Sequence, residues 1–218
     1  MKFTKQDWDE FIDKLPKKRI KLLCESYNKS GVINIRHDVD NDPAAALSMA
    51  YAEQRLGIKS TYYFLDTAPY WNDQRLPFII TEIACMGHEI GWHNNAITRH
   101  LGTGQGLKHC IEEPLHYLRR FYPVTGNASH GEISCYKHKY LNYYIFKESK
   151  LNPDFPNRSW GQFSMSDFGL NYEAYHTGHT HYISESGGEW KQDNDAVLKD
   201  FKKKKGKLQI LIHPQWWA

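Results

Sequence analysis

Gly31-Val32-Ile33-Asn34-Ile35-Arg36-His37-Asp38-Val39-Asp40-Asn41-Asp42-Pro43 is the stretch from which the architecture follows. Its first five residues are rich in β-branched side chains and read as a buried strand. The strand empties into a polar string, Arg36 to Asp40. Asp42 then offers a helix N-cap oxygen, and Pro43 suits the first helical position. Ala44, Leu47 and Tyr51 give the next helix an apolar stripe, and Gly57 ends it. A buried strand that delivers polar groups to a loop and turns directly into a helix is the unit of a parallel α/β sheet.

The pattern repeats outward from there. Toward the N-terminus, Trp8, Phe11, Ile12 and Leu15 at helical spacing predict a helix over 5–15, closed by Pro16. Toward the C-terminus come a strand over 59–65, a helix over 76–86 and a short strand over 88–93. A helix over 107–122 follows, with a kink expected at Pro114. Val124 to His130 reads as strand and loop, and 132–166 is aromatic, polar and irregular. A strand within 175–184, a helix over 193–205 and a buried strand over 208–212 complete the chain. Strand–helix alternation without hairpin signals predicts parallel strands joined by right-handed crossovers. The expectation is one α/β domain over 1–218, with residues 1–30 as a helical extension packed on it.

Composition narrows the function classes. The 218 residues carry 28 basic and 25 acidic side chains, and a net charge of +3 is too small to imply nucleic acid or an anionic membrane surface. No run reaches the ~18 apolar residues of a membrane span. Cys24, Cys85, Cys110 and Cys135 are scattered without a C-x-x-C pair, so they read as small hydrophobes in a reducing, cytoplasmic setting. The Lys202–Lys205 run complements a helix C-terminus and reads as a solvated face. The excess lies in 12 histidines, with 7 Trp, 14 Tyr and 10 Phe.

In parallel α/β folds, functional groups gather where strands end. Four polar clusters here follow strand-like runs: Arg36–Asp40, His93, His130 and His213-Pro214-Gln215-Trp216-Trp217. Asp38 and Asp40 are two apart in extended chain, so both carboxylates can enter one site. Asp40, His93 and His130 make a two-histidine, one-carboxylate set that leaves positions open for water and substrate. His213 at the last strand's end is placed as a general acid. Arg36 beside Asp38 favours its charged form. Arg36, Trp190 and Trp216 are expected to contact substrate, Trp190 and Trp216 with Trp160 and Trp217 as flat rings for sugar faces. Gly187-Gly188 marks a pliable flap. His88 reads as structural, facing away from His93.

Arg36-His37-Asp38-Val39-Asp40, Gly87-His88-Glu89-Ile90-Gly91-Trp92-His93 and Leu211-Ile212-His213-Pro214 together resemble the NodB-type polysaccharide deacetylase superfamily, the fourth carbohydrate esterase family and its relatives. With Ser129-His130-Gly131 and Ile183–Gly188, the set resembles a branch found among surface-glycan biosynthesis proteins. The resemblance spans about Gly31 to Trp217. It implies a distorted (β/α)7 barrel and a divalent metal, zinc first, with cobalt, nickel or manganese as alternatives. It implies deacetylation of an N-acetylated sugar in surface polysaccharide synthesis, with Asp38 as base, Asp40 and His93 as ligands and His213 as acid. The family's second ligand histidine falls four residues after the first, where this chain has Ile97. His100, seven residues on, would stand about 10 Å away along a helix, so His130 is taken as the third ligand. The family's Arg-x-Pro-Tyr motif is not evident, and Glu185 stands where an aspartate is expected.

Overall fold

The computed structural model describes residues 3–204 and 206–217. Thr4 opens helix α1 (Lys5–Asp13) through a reciprocal capping box with Asp7, and α1 buries Trp8, Phe11 and Ile12. A short α2 (Leu23–Ser26) follows. Strand β1 (Ile33–Val39) then leads to α3 (Pro43–Arg55), which starts as expected from Asp42, whose side chain accepts from the Ala45 amide. Next come β2 (Thr61–Leu65), α4 (Leu76–Cys85) and β3 (Glu89–Asn94). Helix α5 (Ala96–Thr103) and α6 (Leu107–Leu118, with Pro114 inside) precede β4 (Gly126–Ser129) and α7 (Ile133–His138). The last elements are β5 (Tyr172–Glu173), β6 (His181–Ser184), α8 (Asn194–Lys204) and β7 (Leu208–Ile212). Lys205, the end of the expected helix, lies outside the described residues.

The seven strands form one sheet in the order β5-β4-β3-β2-β1-β7-β6, and every pairing is parallel. With helices outside, this is the distorted (β/α)7 barrel. β5 and β6 are its edges, and the 174–180 segment runs between them. Two expectations are corrected. β1 extends to Val39, so Arg36, His37 and Asp38 sit on the strand, not after it. A helix, α5, occupies 96–103, and β5 lies in a stretch without strand-like alternation.

β1 sorts its residues by period two. Ile33, Ile35 and Val39 face outward into the apolar layer. His37 joins them, edge-on to Trp8 and stacked on Tyr62, with Nε2 2.8 Å from Glu53. His88 shares this outer network: its Nδ1 accepts from the Ser60 amide and lies 3.6 Å from Glu53. Burial pushes Glu53 up, but His37 and His88 outweigh it and hold the carboxyl low. Arg36 and Asp38 point into the barrel.

The interior is filled by large rings, which dictates glycine opposite them. A Cβ at Gly91 would lie 2.3 Å from the Tyr63 ring, and one at Gly126 would lie 2.1 Å from Tyr172. At the N-terminal end Lys207 is buried, its Nζ donating to the carbonyls of Ser26, Tyr27 and Thr177. Those bonds close the barrel below, so the strands' C-terminal ends are where a substrate can enter.

Candidate active site

Four strand ends converge there. Asp40 follows β1, His93 lies near the end of β3, His130 follows β4 and His213 follows β7. His93 Nε2 is 3.2 Å from Asp40 Oδ1, His130 Nδ1 is 3.5 Å from the same oxygen, and the two nitrogens are 3.1 Å apart. Among the described residues these three are the one group of histidine, cysteine and carboxylate side chains close enough to share an ion. Ligands ~2.0 Å from a tetrahedral ion are ~3.3 Å from one another, so the triangle already has the edges of such a site.

The donor set fits a cation on chemical grounds too. His93 Nδ1 donates to the Ala128 carbonyl at 2.8 Å. That bond fixes the ring with Nε2 aimed at Asp40, where loss of its proton would free a lone pair for a cation. Asp40 Oδ1 is buried without a hydrogen-bond partner. Burial alone would push the Asp40 carboxyl up, yet the two imidazoles hold it far below the carboxylate range. For His93, burial works downward, and the charges of Asp38 and Asp40 overcome it and raise the imidazole.

Asp38 stands beside the triangle, with Oδ2 3.7 Å from His93 Nε2 and Oδ1 buried and unpartnered. Arg36 Nη2 donates to Asp38 Oδ2 at 3.2 Å, while the guanidinium lies over the Tyr175 ring at 4.0 Å. His213 is on the other side, with Nε2 3.8 Å from Asp40 Oδ2. Its Nδ1 donates to the Glu185 carbonyl, and its amide donates to Glu185 Oε2. Burial lowers His213, but the Glu185 hydrogen bond and the charges of Asp38, Asp40 and Glu185 raise it to about 8. Glu185 Oε1 also accepts from the Gly188 amide. The glycine pair is thereby tied to the histidine.

Asp38, Asp40, His93, His130 and His213 line a cavity of about 400 Å³ with Tyr136, Tyr175, Tyr182, Ser184 and Ser186. Sequence reading missed that wall. The alternation Tyr182–Ser184 on β6 was a usable signal; for Tyr175 there was none. It also missed Glu173, which accepts from the Ser129 and Tyr175 amides and so braces the β4 end that carries His130. Burial raises its carboxyl to about 7 against the pull of Arg36.

Three placements are corrected. Arg36 is wholly buried, so it reaches Asp38 and not a substrate. Trp190 packs on Phe3, Phe11 and Trp217, 4.8 Å from the Phe11 ring. Trp216 is half-buried against the core, and its carbonyl accepts from Phe3. Neither lines the cavity. The Pro214–Trp216 turn brings Trp217 back beside Phe3, and the Trp190 and Trp217 rings pack on Phe11 and Trp8 and seal α1 to the barrel. His100 lies on α5 with Nδ1 on the Gln105 carbonyl, and Ile97 is buried in the apolar core.

No family model and no curated protein matches the sequence. Among solved structures the chain is similar to a peptidoglycan N-acetylglucosamine deacetylase, at 15% identity over 86% of this chain and 73% of that one, TM-score 0.48. It is similar to the chitin deacetylase of Colletotrichum lindemuthianum, at 11% identity over 92% and 79%, TM-score 0.48. A polysaccharide deacetylase from Bacillus cereus gives 14% identity over 84% and 79%, TM-score 0.46. Each is a likeness of fold.

Proposed function

We propose that the protein is a metal-dependent amidohydrolase that removes the N-acetyl group of an amino sugar, in the synthesis of a surface polysaccharide. The observation that carries this reading is the Asp40–His93–His130 triangle with the Asp38 carboxylate on one side and the His213 imidazole on the other. Asp40 Oδ1, His93 Nε2 and His130 Nδ1 would hold the cation, with zinc suited to such a nitrogen-rich set. When bound, it lowers the pKa of a water toward ~7 and polarises an acyl carbonyl.

The protein's own groups do the rest. Asp38, fixed by Arg36, takes the proton of the attacking water on Oδ1, which no protein group occupies. His213 is held with Nδ1 on the Glu185 carbonyl, so its Nε2 proton faces the cavity. Against burial, the Glu185 hydrogen bond raises the imidazole and favours its charged form, which gives that proton to the departing amine. The carbon–nitrogen bond breaks, and acetate and a free amino sugar leave. A glycan-binding relative without turnover is the second reading, prompted by Ile97; His130 supplies a third ligand and favours hydrolysis.

Metal content and acetate release from N-acetyl amino sugars test the proposal together. Asp38→Asn should lower turnover at least 100-fold while keeping the metal. Loss of metal in that variant instead would mean that the roles of Asp38 and Asp40 are exchanged.

A further inference from the structure

Past His130 the cavity continues into a second chamber of about 320 Å³. The two share Ser129, His130, Gly131, Tyr136 and Tyr175, whereas His213, Ser184, Ser186 and Leu211 line only the first. The chamber therefore lies on the side of the cluster away from His213. Leu141, Tyr143, Phe155 and Tyr136 wall it, with the Tyr136 and Phe155 rings edge to face at 5.3 Å. Asn152 bonds through Oδ1 to the Asp154 amide and through its backbone to Tyr144, and His176 sits against Glu173 at 3.5 Å.

The apolar surface carries on outside. Ile133 lies one turn before Tyr136 on the same face of α7. Ile133 is 85% exposed, Tyr136 64%, and Leu151, next to Asn152, 57%.

Direction follows from the reaction proposed above, on which this inference rests. With the scissile nitrogen at His213 and the carbonyl oxygen at the Asp40–His93–His130 triangle, the acyl substituent points away from His213, toward the chamber. An acetyl methyl, roughly the 30 Å³ of a water molecule, would leave most of it empty. We propose that the chamber is an acyl pocket, so that the site admits amino sugars whose apolar N-acyl chain is longer than acetyl. The Leu141 and Phe155 side chains and the Tyr136 and Tyr143 rings give that chain an apolar wall.

The test is calorimetric titration of the zinc-loaded Asp38→Asn protein with N-acetyl-, N-butyryl- and N-hexanoylglucosamine. Affinity should rise about fourfold per methylene, the gain for burying one. Phe155→Ala and Leu141→Gln, at positions that line only the second chamber, should both flatten that rise while leaving N-acetyl binding unchanged. Affinity independent of chain length overturns the proposal, as does tighter binding of a diacetylated β-1,4 disaccharide that Phe155→Ala abolishes. Turnover of the same series by the unmutated enzyme separates the two readings. Length-dependent binding without cleavage keeps the pocket and overturns the hydrolase; preferred cleavage of the N-acetyl compound keeps the hydrolase and overturns the pocket.

Discussion

Replacing His130 with alanine should remove the metal, and the size of the effect can be worked out. Even groups that only orient a ligand are worth ~10–100-fold in affinity, so losing one of three direct ligands should cost at least ~100-fold. With zinc at about 100 times its dissociation constant, the native protein gains ~2.7 kcal/mol. For a domain of this size each kcal/mol moves the melting temperature by ~2–4 °C, a shift of ~5–11 °C. At the same zinc concentration the variant would sit near its own dissociation constant and gain ~0.4 kcal/mol, or ~1 °C. The assay is thermal unfolding of chelator-stripped protein titrated with zinc, beside competition with a coloured chelator. His100→Ala is the control, because His100 is on α5 and bonded to the Gln105 carbonyl. Protons compete for the same imidazoles, and His93 is raised by Asp38 and Asp40, so the shift should shrink on acidification. A full shift retained in His130→Ala, or lost in His100→Ala, would refute the assignment.

Arg36→Met leaves the Asp38 carboxylate buried without its partner, and should cost ~3–5 kcal/mol in urea unfolding while turnover falls and zinc stoichiometry holds. In metal-free protein His213 should titrate at about 8 against 6.5 for a free imidazole, a difference worth ~2 kcal/mol. Because the folded value is the higher one, that stability is complete below about pH 6.5 and disappears as pH rises through about 8; nuclear magnetic resonance titration reads the value, and Glu185→Gln should lower it. Trp190→Ala should destabilise toward the lower end of ~3–5 kcal/mol and leave the substrate KM unchanged, since its ring packs on Phe11 and Trp217.

Most of the strand and helix frame was legible, because its elements carry the periodicities that burial imposes. Asp42-Pro43 announced α3, and the β-branched runs announced β1 and β7. β5 was not legible: two residues are too few for alternation to register, and Tyr172 is placed by its hydrogen bond to Glu89 and its pairing with Gly126 on the neighbouring strand. The strand-end rule brought Asp38, Asp40, His93, His130 and His213 to one place because each closes a buried run. It failed for Trp190 and Trp216, where aromatic character alone was the signal. An aromatic ring suits a sugar face and a core equally well, and only the pairing of the chain's two ends shows which demand these rings meet.

The histidines divide by the same geometry. On β1, one residue of offset separates Asp38, inside the barrel beside His93, from His37, outside it against Glu53. Both are buried ion-pairing positions, and composition cannot tell them apart; the period of the strand can. The same logic accounts for the third ligand. A histidine at position 97 would start from α5, where the side chain is packed in the apolar core. The end of β4 hydrogen-bonds directly to β3, the His130 amide donating to the Asn94 carbonyl, so His130 is delivered to His93 by sheet pairing itself. With the proposed third donor at the end of β4, position 97 serves the core, and an apolar isoleucine stands there.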